Sequence, residues 1–466
     1  MAKSKIYLLF FIILCKNSFA GIPLNEEIVI HSAMSHYPKI YISEEKIRLA
    51  ESKFQEAKGE FDSSISLKQR QFLSGYYENT AYFESKVEKP LPFFNSKIYA
   101  GYLKSQNGEY PEINQYYNTK SDGRAIFGFE FSLLRGFLIN ERNAIRNIAE
   151  LEVKVAEYNN FLMQSQVKAD AKKAYWKCVY TKKIFDVYQE VLNIALKRQK
   201  ILEAQVKNGD KARIVLDENK RVILRRQSLI ENIKRELLNN AINLSMYVRN
   251  EDGTVYDAIL IAESVNSDEF NLAEYTPNLK NDMKMVLNNR IDIKILEVLL
   301  SQGKIKMKLA KNDILPKLDL TFEQSKDFGT GYIQKNEPLN KVALNVSIPL
   351  ENKKQVGKFG KMKSDVKIIE NEVKFLKDII KNEVMTVFNK IDEIKQVLKN
   401  TKEEILIGEK LLSAENLKFE NGDSDFFMIN AREQDLLSVR EYNLRNQLAL
   451  AEVLIEYKFM VKDSLL

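Results

Sequence analysis

Cysteine, histidine and tryptophan are almost missing from this chain of 466 residues. It holds two cysteines, two histidines and one tryptophan. With Cys15 and Cys178 alone, a disulfide framework is excluded. His31 and His36 lie five apart in a stretch that reads as helix, about 140° round its axis, so they do not share a metal. No phosphate-binding loop, nucleophile elbow or cysteine pair occurs, and the expectation is a protein that is not an enzyme and carries no cofactor. Proline is scarce and unevenly placed: all nine prolines lie within 23–111 or 277–349. Long apolar runs are also lacking. Past residue 20 nothing reaches the roughly 18 apolar residues of a membrane-spanning helix. The formal charge of +7 is modest for such a length. It does not call for a nucleic-acid partner.

What is present begins with an export signal. Lys3 and Lys5 precede the apolar run 6–14, and Ser18-Phe19-Ala20 places small residues before Gly21. Cleavage there makes 1–20 a signal peptide. It removes Cys15, leaving Cys178 as the one cysteine, and it removes Lys3, Lys5 and Lys16, taking the charge to about +4. Lipidation of Cys15 is the alternative, disfavoured by the bulky Leu14 before it.

The organising stretch is 139–207, which has neither proline nor glycine. Ile148, Leu151, Val155, Tyr158 and Leu162 alternate three and four apart, and Ala171, Ala174, Cys178, Phe185, Tyr188, Leu192 and Ala195 resume the pattern. That is a coiled-coil seam. One helix of about 68 residues runs roughly 100 Å. It stops at Asn208-Gly209-Asp210. A second helix (213–247) returns, with Ile223, Ile230, Ile233, Leu237, Ala241 and Leu244 on its seam. Before the rod come a helix at 25–58, interrupted at Tyr37-Pro38, and two segments of period two. In 61–72, Ile65 and Leu67 face one way. In 125–134, Phe127, Phe129, Phe131 and Leu133 alternate with small or charged residues. Between them, 73–121 reads as a long loop, with a possible strand at 97–104. Residues 248–282 read as a linker with little regular structure.

The plan then repeats. A helix at 283–313 leads into strands near 317–324 (Leu318, Leu320, Phe322) and 341–349 (Val342, Leu344, Val346, Ile348). A second rod (352–420) carries Val366, Ile369, Val373, Leu376, Ile380, Val384, Val387, Ile391, Ile394 and Leu398. It stops at Asn421-Gly422-Asp423, and a last helix covers 425–460. The two turns lie 213 residues apart, and Ser132 and Ser347, at the strands leading into the rods, 215 apart. One offset held by distant landmarks marks a tandem duplication, 21–250 and 283–466. A returning helix of about 35 residues plus a preceding helix of about 31–34 matches the length of a rod, so the two stack along it.

Alternation alone suits a sheet on a soluble core as well as a membrane barrel. The helices spend their apolar faces on heptad seams, which leaves the strands' apolar face without a protein partner. Four strands cannot close a barrel, whose minimum is about eight, and an open edge in lipid leaves backbone groups unpaired. Strands in a membrane would therefore need several chains; three chains of four strands give twelve. The competing reading is an exported soluble periplasmic coiled-coil scaffold whose strands form a small cap. A helical pore-forming toxin is a third.

The order strand, strand, long helix, glycine turn, helix, run twice behind a signal peptide, resembles the TolC family of outer-membrane efflux proteins. So do Arg290-Ile291-Asp292 (the family favours Arg-Pro-Asp), Leu315-Pro316-Lys317-Leu318 before a strand, Ser347-Ile348-Pro349-Leu350 before a rod, and the turns at Gly209 and Gly422. The resemblance spans roughly 30–460. It implies a mainly α protein with a membrane β-barrel portion: a homotrimer with a 12-stranded barrel in outer-membrane lipid on a periplasmic α-helical tunnel. It implies as partners an inner-membrane pump and a periplasmic adaptor protein. Asn208, Gly209, Asp210, Asn421, Gly422, Asp423 and Asp425 would form the periplasmic tip, which gates the tunnel and meets the adaptor. The family often has an aspartate six residues beyond the tip glycine. Here Val215 and Met428 stand there, and Asp210, Asp217, Asp423 and Asp425 are the acids nearby. The simpler role for Asp210 and Asp423 is to cap the helices that follow them.

Overall fold

The computed structural model describes residues 24–71, 81–106, 119–265, 276–331 and 338–465. The signal segment, Cys15 and parts of 73–121 and 248–282 lie outside them. The chain divides into two compact units: 1–44, 160–293 and 377–466 form one, and 45–159 and 294–376 the other. Among the described residues no helix is long and apolar enough to cross a membrane.

The helices start and stop where local chemistry directs. Helix α1 (Glu26–His36) is capped by Asn25, whose side chain accepts from the Ile28 N–H at 2.8 Å. Tyr37 is extended, and α2 (Pro38–Gly59) opens on proline, which needs no N–H partner there. The first rod, α3 (Glu141–Lys207), follows Asn140, which accepts from the Asn143 N–H at 2.8 Å. Its return is α4 (Ile214–Ser245). The segment read as a linker holds α5 (Ala258–Ser264) and the first part of α6 (Leu279–Asn289), capped by Asp257 and Asn278. The helix expected at 283–313 is broken at Arg290, whose extended backbone separates α6 from α7 (Ile291–Asn312). The second rod is α8 (Lys353–Glu420) and its return α9 (Phe426–Lys458), which ends in a π-helical turn, Phe459–Asp463. The rods hold 67 and 68 residues, the returns 32 and 33.

In the first unit the apolar seams meet. Val29 and Ala33 of α1 pack with Val167, Ala171, Tyr175 and Cys178 of α3, Ala241 and Leu244 of α4, and Ala451 of α9. Further along, Ile184, Tyr188, Leu192 and Ala195 join Ile223, Ile230 and Ile233, with Leu437 of α9. Each valine, leucine or isoleucine among them contributes about 1.5–3 kcal/mol when fully buried. Trp176 belongs to this core, as packing rather than a ligand platform, and its Nε1–H donates to Glu26 at 2.8 Å. Arg290 pairs with Asp292 at 3.0 Å and Glu383 at 3.2 Å, so the Arg-Ile-Asp motif marks the helix break and ties it to α8.

The second unit holds one antiparallel sheet of six strands in sequence order: β1 (Ser64–Gln71), β2 (Ala81–Pro90), β3 (Lys97–Gln106), β4 (Arg124–Ser132), β5 (Lys317–Asp327) and β6 (Leu339–Ser347). The four expected strands are β1, β4, β5 and β6. The stretch taken as a loop supplies β2 and β3; β3 falls where a strand was expected at 97–104, and β2 was hidden because Ser85 breaks the apolar row of Phe83 and Val87. In the same unit Gln302 of α7 donates to the Ile148 carbonyl of α3 at 3.2 Å. Gly303 lets Val366 of α8 approach, since a Cβ there would lie 3.3 Å from its methyl group.

Candidate functional site

In the first unit the two glycine turns are built alike. The Asp210 N–H donates to the Gln205 carbonyl at 2.8 Å and the Gly209 N–H to that of Val206 at 3.1 Å. At the second turn the Asp423 N–H reaches Lys418 at 2.8 Å and the Gly422 N–H reaches Phe419 at 3.2 Å. This paired closure of a helix end requires a left-handed residue, and Gly209 and Gly422 have φ of +85° and +86°. A Cβ at either position would meet nothing within 4 Å, so glycine is required there for its backbone and not for space. Asn208 and Asn421 complete the last turns, donating to Ala204 and Leu417.

Neither Asp210 nor Asp423 caps the next helix. Arg213 stands at the start of α4 with no side-chain cap, and Asp425 caps α9, accepting from the Met428 N–H at 2.9 Å. The cap position falls two to three residues beyond each aspartate, at Arg213 and Asp425, and an N-cap side chain bonds two or three residues ahead of its own position. Behind the turns Leu202, Val222 and Phe426 are buried together, with Val215, Leu216 and Phe419 against them. Val215, at one of the positions where the family has aspartate, is thus a packing residue. The Lys211 ammonium sits 4.6 Å from the Phe419 ring centre.

Sequence reasoning missed the polar cluster beside these turns. Glu433 of α9 accepts from Arg198 of α3 and from Arg226 of α4, the latter at 2.7 Å. Arg226 also donates to the Val191 carbonyl at 2.8 Å, and buried Asn219 donates to Ala195 at 3.1 Å. Burial opposes the Glu433 charge, but hydrogen bonds and charges from Arg198 and Arg226 outweigh it and hold the carboxyl below its usual range. The signal was available: Asn219 and Arg226 continue the three–four spacing of Ile223 and Ile230, as polar residues on an apolar seam.

In the second unit the sheet has two unlike faces. One carries Ile65 and Leu67; Phe83 and Val87; Ile98, Ala100 and Tyr102; Phe127, Phe129 and Phe131; Leu318, Leu320 and Phe322; Val342, Leu344 and Val346. The cross-strand pairs Ile65–Val87, Ala100–Phe127, Phe129–Phe322 and Leu320–Leu344 put them on one side. Many are open: Ile65 67%, Phe127 59%, Val342 66% and Leu344 58% exposed. Leu133 and Ile348 fall just beyond β4 and β6.

The other face is charged and cross-linked. Lys68 pairs with Glu84 at 3.9 Å, Lys97 with Glu130 at 3.4 Å and Arg124 with Asp327 at 2.9 Å, and Ser132 donates to Asp319 at 2.7 Å. Tyr99 lies over Gly128, where a Cβ would come within 2.2 Å of its ring, and its hydroxyl reaches Glu323 at 2.7 Å. No group of three or more His, Cys, Asp or Glu side chains able to hold a metal occurs among the described residues.

Tandem helical hairpins joined to a sheet with one apolar, uncovered face and one charged face define a channel-tunnel fold. Solved structures carry the same fold. The outer membrane protein VceC of Vibrio cholerae is 12% identical, with 94% of this chain and 95% of that one covered and a TM-score of 0.66. The Campylobacter jejuni CmeC outer membrane channel is 11% identical (94% and 86% covered, TM-score 0.65), and the open-state Neisseria gonorrhoeae MtrE outer membrane channel 13% (96% and 92%, TM-score 0.61). No family model matches the sequence, and no curated protein matches it. The chain has the fold of these outer-membrane channels, which bears out the resemblance read from its sequence.

Proposed function

We propose that the protein is the outer-membrane channel of a tripartite efflux or type I secretion system. Three copies close a barrel in the outer membrane and a helical tunnel in the periplasm. Conduction is passive, and an inner-membrane pump supplies the energy through a periplasmic adaptor that meets the turns at 208–210 and 421–425. The observation that carries this is the uncovered apolar face of the sheet. In water a contiguous surface of that kind is unfavourable by about 25 cal/mol per Å², whereas in lipid it is at no disadvantage. The charged face opposite suits a water-filled lumen. A soluble scaffold needs that apolar face packed on protein, and none of the described elements covers it.

Fractionation and planar-bilayer recording test the reading. The expected result is a detergent-requiring trimer in the outer membrane that conducts in a bilayer. A monomer in the soluble periplasm, silent in the bilayer, overturns it. The acids Asp210, Asp423 and Asp425 give the turns negative groups for binding cations. Trivalent cations are expected to block conductance, and neutral variants at all three positions to lose that block.

A further inference from the structure

We infer that each copy lends six strands to the barrel wall, so that three copies build an eighteen-stranded barrel. The inference rests on the channel reading above and concerns the hairpin β2–β3, which lies between the strands that the duplicated plan would pair directly, β1 and β4.

Four observations place this hairpin in the wall rather than in an external loop. It is paired along its length on both sides: eight residues of β1 face β2, and seven of β3 face β4. Its outward residues continue the apolar face: Val87 is level with Ile65 of β1, Ile98, Ala100 and Tyr102 are level with Phe129, Phe127 and Ala125 of β4, and Phe83 lies on the same face. Its inward residues continue the charged face, through Lys68–Glu84 to β1 and Lys97–Glu130 to β4. Tyr99 reaches across Gly128 to Glu323 of β5, tying β3 to a strand two places away.

The slant of the apolar band agrees. Following the register from Ile65 through Val87, Ala100, Phe127 and Gln324 leads to Asn340 in β6. The apolar run of β6 is centred further along, at Leu344. The band therefore drifts by about one residue per strand, which at about 3.3 Å rise and about 4.8 Å spacing corresponds to strands tilted by roughly 30–35°. Membrane barrels tilt their strands by about 35–45°. From Phe83 and Val87 in β2 the band shifts in one direction through Ala100 of β3 and Phe129 of β4 to Leu320 of β5. An even number of strands also sets β1 and β6 antiparallel, so β6 of one copy meets β1 of the next in the same sense as every other pair in the sheet. Barrel diameter grows roughly in proportion to strand number, so this bore is about one and a half times that of a twelve-stranded barrel.

Two measurements on the full-length protein in lipid test the inference. Trp176→Phe removes the one tryptophan, and single tryptophans are then introduced by Phe83→Trp, Leu344→Trp and Glu84→Trp. Brominated-chain phosphatidylcholine is expected to quench Phe83→Trp as strongly as Leu344→Trp, and Glu84→Trp at most weakly. Quenching of Leu344→Trp without that of Phe83→Trp overturns the inference and leaves the channel reading standing; no quenching of either overturns both. Cryo-electron microscopy of the wild-type channel in nanodiscs then counts strands: six per copy is expected, and four per copy overturns the inference.

Discussion

Arg226 of α4 donates to Glu433 of α9 at 2.7 Å, both side chains being almost fully buried. The contact joins the returning helix of the first hairpin to that of the second, and Arg198 of α3 adds a third member. Removing the anion from such a cluster leaves the buried Arg226 guanidinium without its counter-ion, which costs about 3–5 kcal/mol. Glu433→Ala is expected to lower the melting temperature of the purified protein clearly. Replacing the cluster with apolar residues (Arg226→Met, Glu433→Leu, Arg198→Leu) is expected to recover most of the loss, as thermal unfolding in detergent will show.

The same cluster sets an acid limit. The Glu433 carboxyl is held below its ordinary value, so its contribution to stability is complete above the unfolded value of about 4.3 and is lost as pH falls through the lower folded value. Wild-type stability should therefore carry a component that falls only below about pH 4.3. Glu433→Gln, which does not titrate, should lack that component while being less stable at neutral pH. Melting curves from pH 3 to 7 compare the two.

At the turns, the left-handed φ of Gly209 and Gly422 decides the outcome, because nothing crowds a Cβ there. Alanine at either position is expected to cost about 1–2 kcal/mol. Asparagine, which tolerates this conformation better, should cost less. The ordering Gly, Asn, Ala in melting temperature, equal at both turns, is the expected result.

The faces of β6 predict opposite tolerances. Leu344 belongs to the apolar face and its neighbour Asn345 to the charged one. With the apolar face in lipid, Leu344→Arg costs about 2–4 kcal/mol near the bilayer midplane, and Asn345→Arg costs little. The amount of assembled oligomer in the membrane fraction should fall sharply for the first variant and stay near wild type for the second.

How much of this was legible beforehand differed from element to element. The rods were, because both lack proline, the first lacks glycine as well, and a three–four apolar spacing held over so long a run has few other conformations. The turns were, because Asn-Gly-Asp recurs at one offset. Strands β4, β5 and β6 were, because Phe127–Phe129–Phe131, Leu318–Leu320–Phe322 and Val342–Leu344–Val346 alternate cleanly. Strand β3 was legible only in part, at 97–104, because Leu103 puts an apolar residue on its inward face, and β2 was not, because Ser85 interrupts its outward row. The cluster at Glu433 was not read either, since its members are 207 and 235 residues from their partners. Only the polar interruptions of the seam pointed to it.

Cys178 offers a clean probe of the helical core. It is fully buried in α3, and burial pushes its thiol up to about 12. At pH 8 the thiol therefore stays protonated, and the maleimide, which only a thiolate attacks at a useful rate, also lacks access. Labelling of the mature protein should be negligible in the folded state and become fast in denaturant. Trp176, two residues away and held by Glu26, reports the same region through its fluorescence. Glu26→Ala removes that acceptor and is expected to cost about 1–3 kcal/mol, the indole N–H being left buried without its partner. Because Val29 and Ala33 of the same helix stay in the core, the change should loosen α1 locally. Cys178 labelling should then accelerate well below the denaturant midpoint of global unfolding; labelling that tracks global unfolding in both proteins would show that α1 does not shield the thiol.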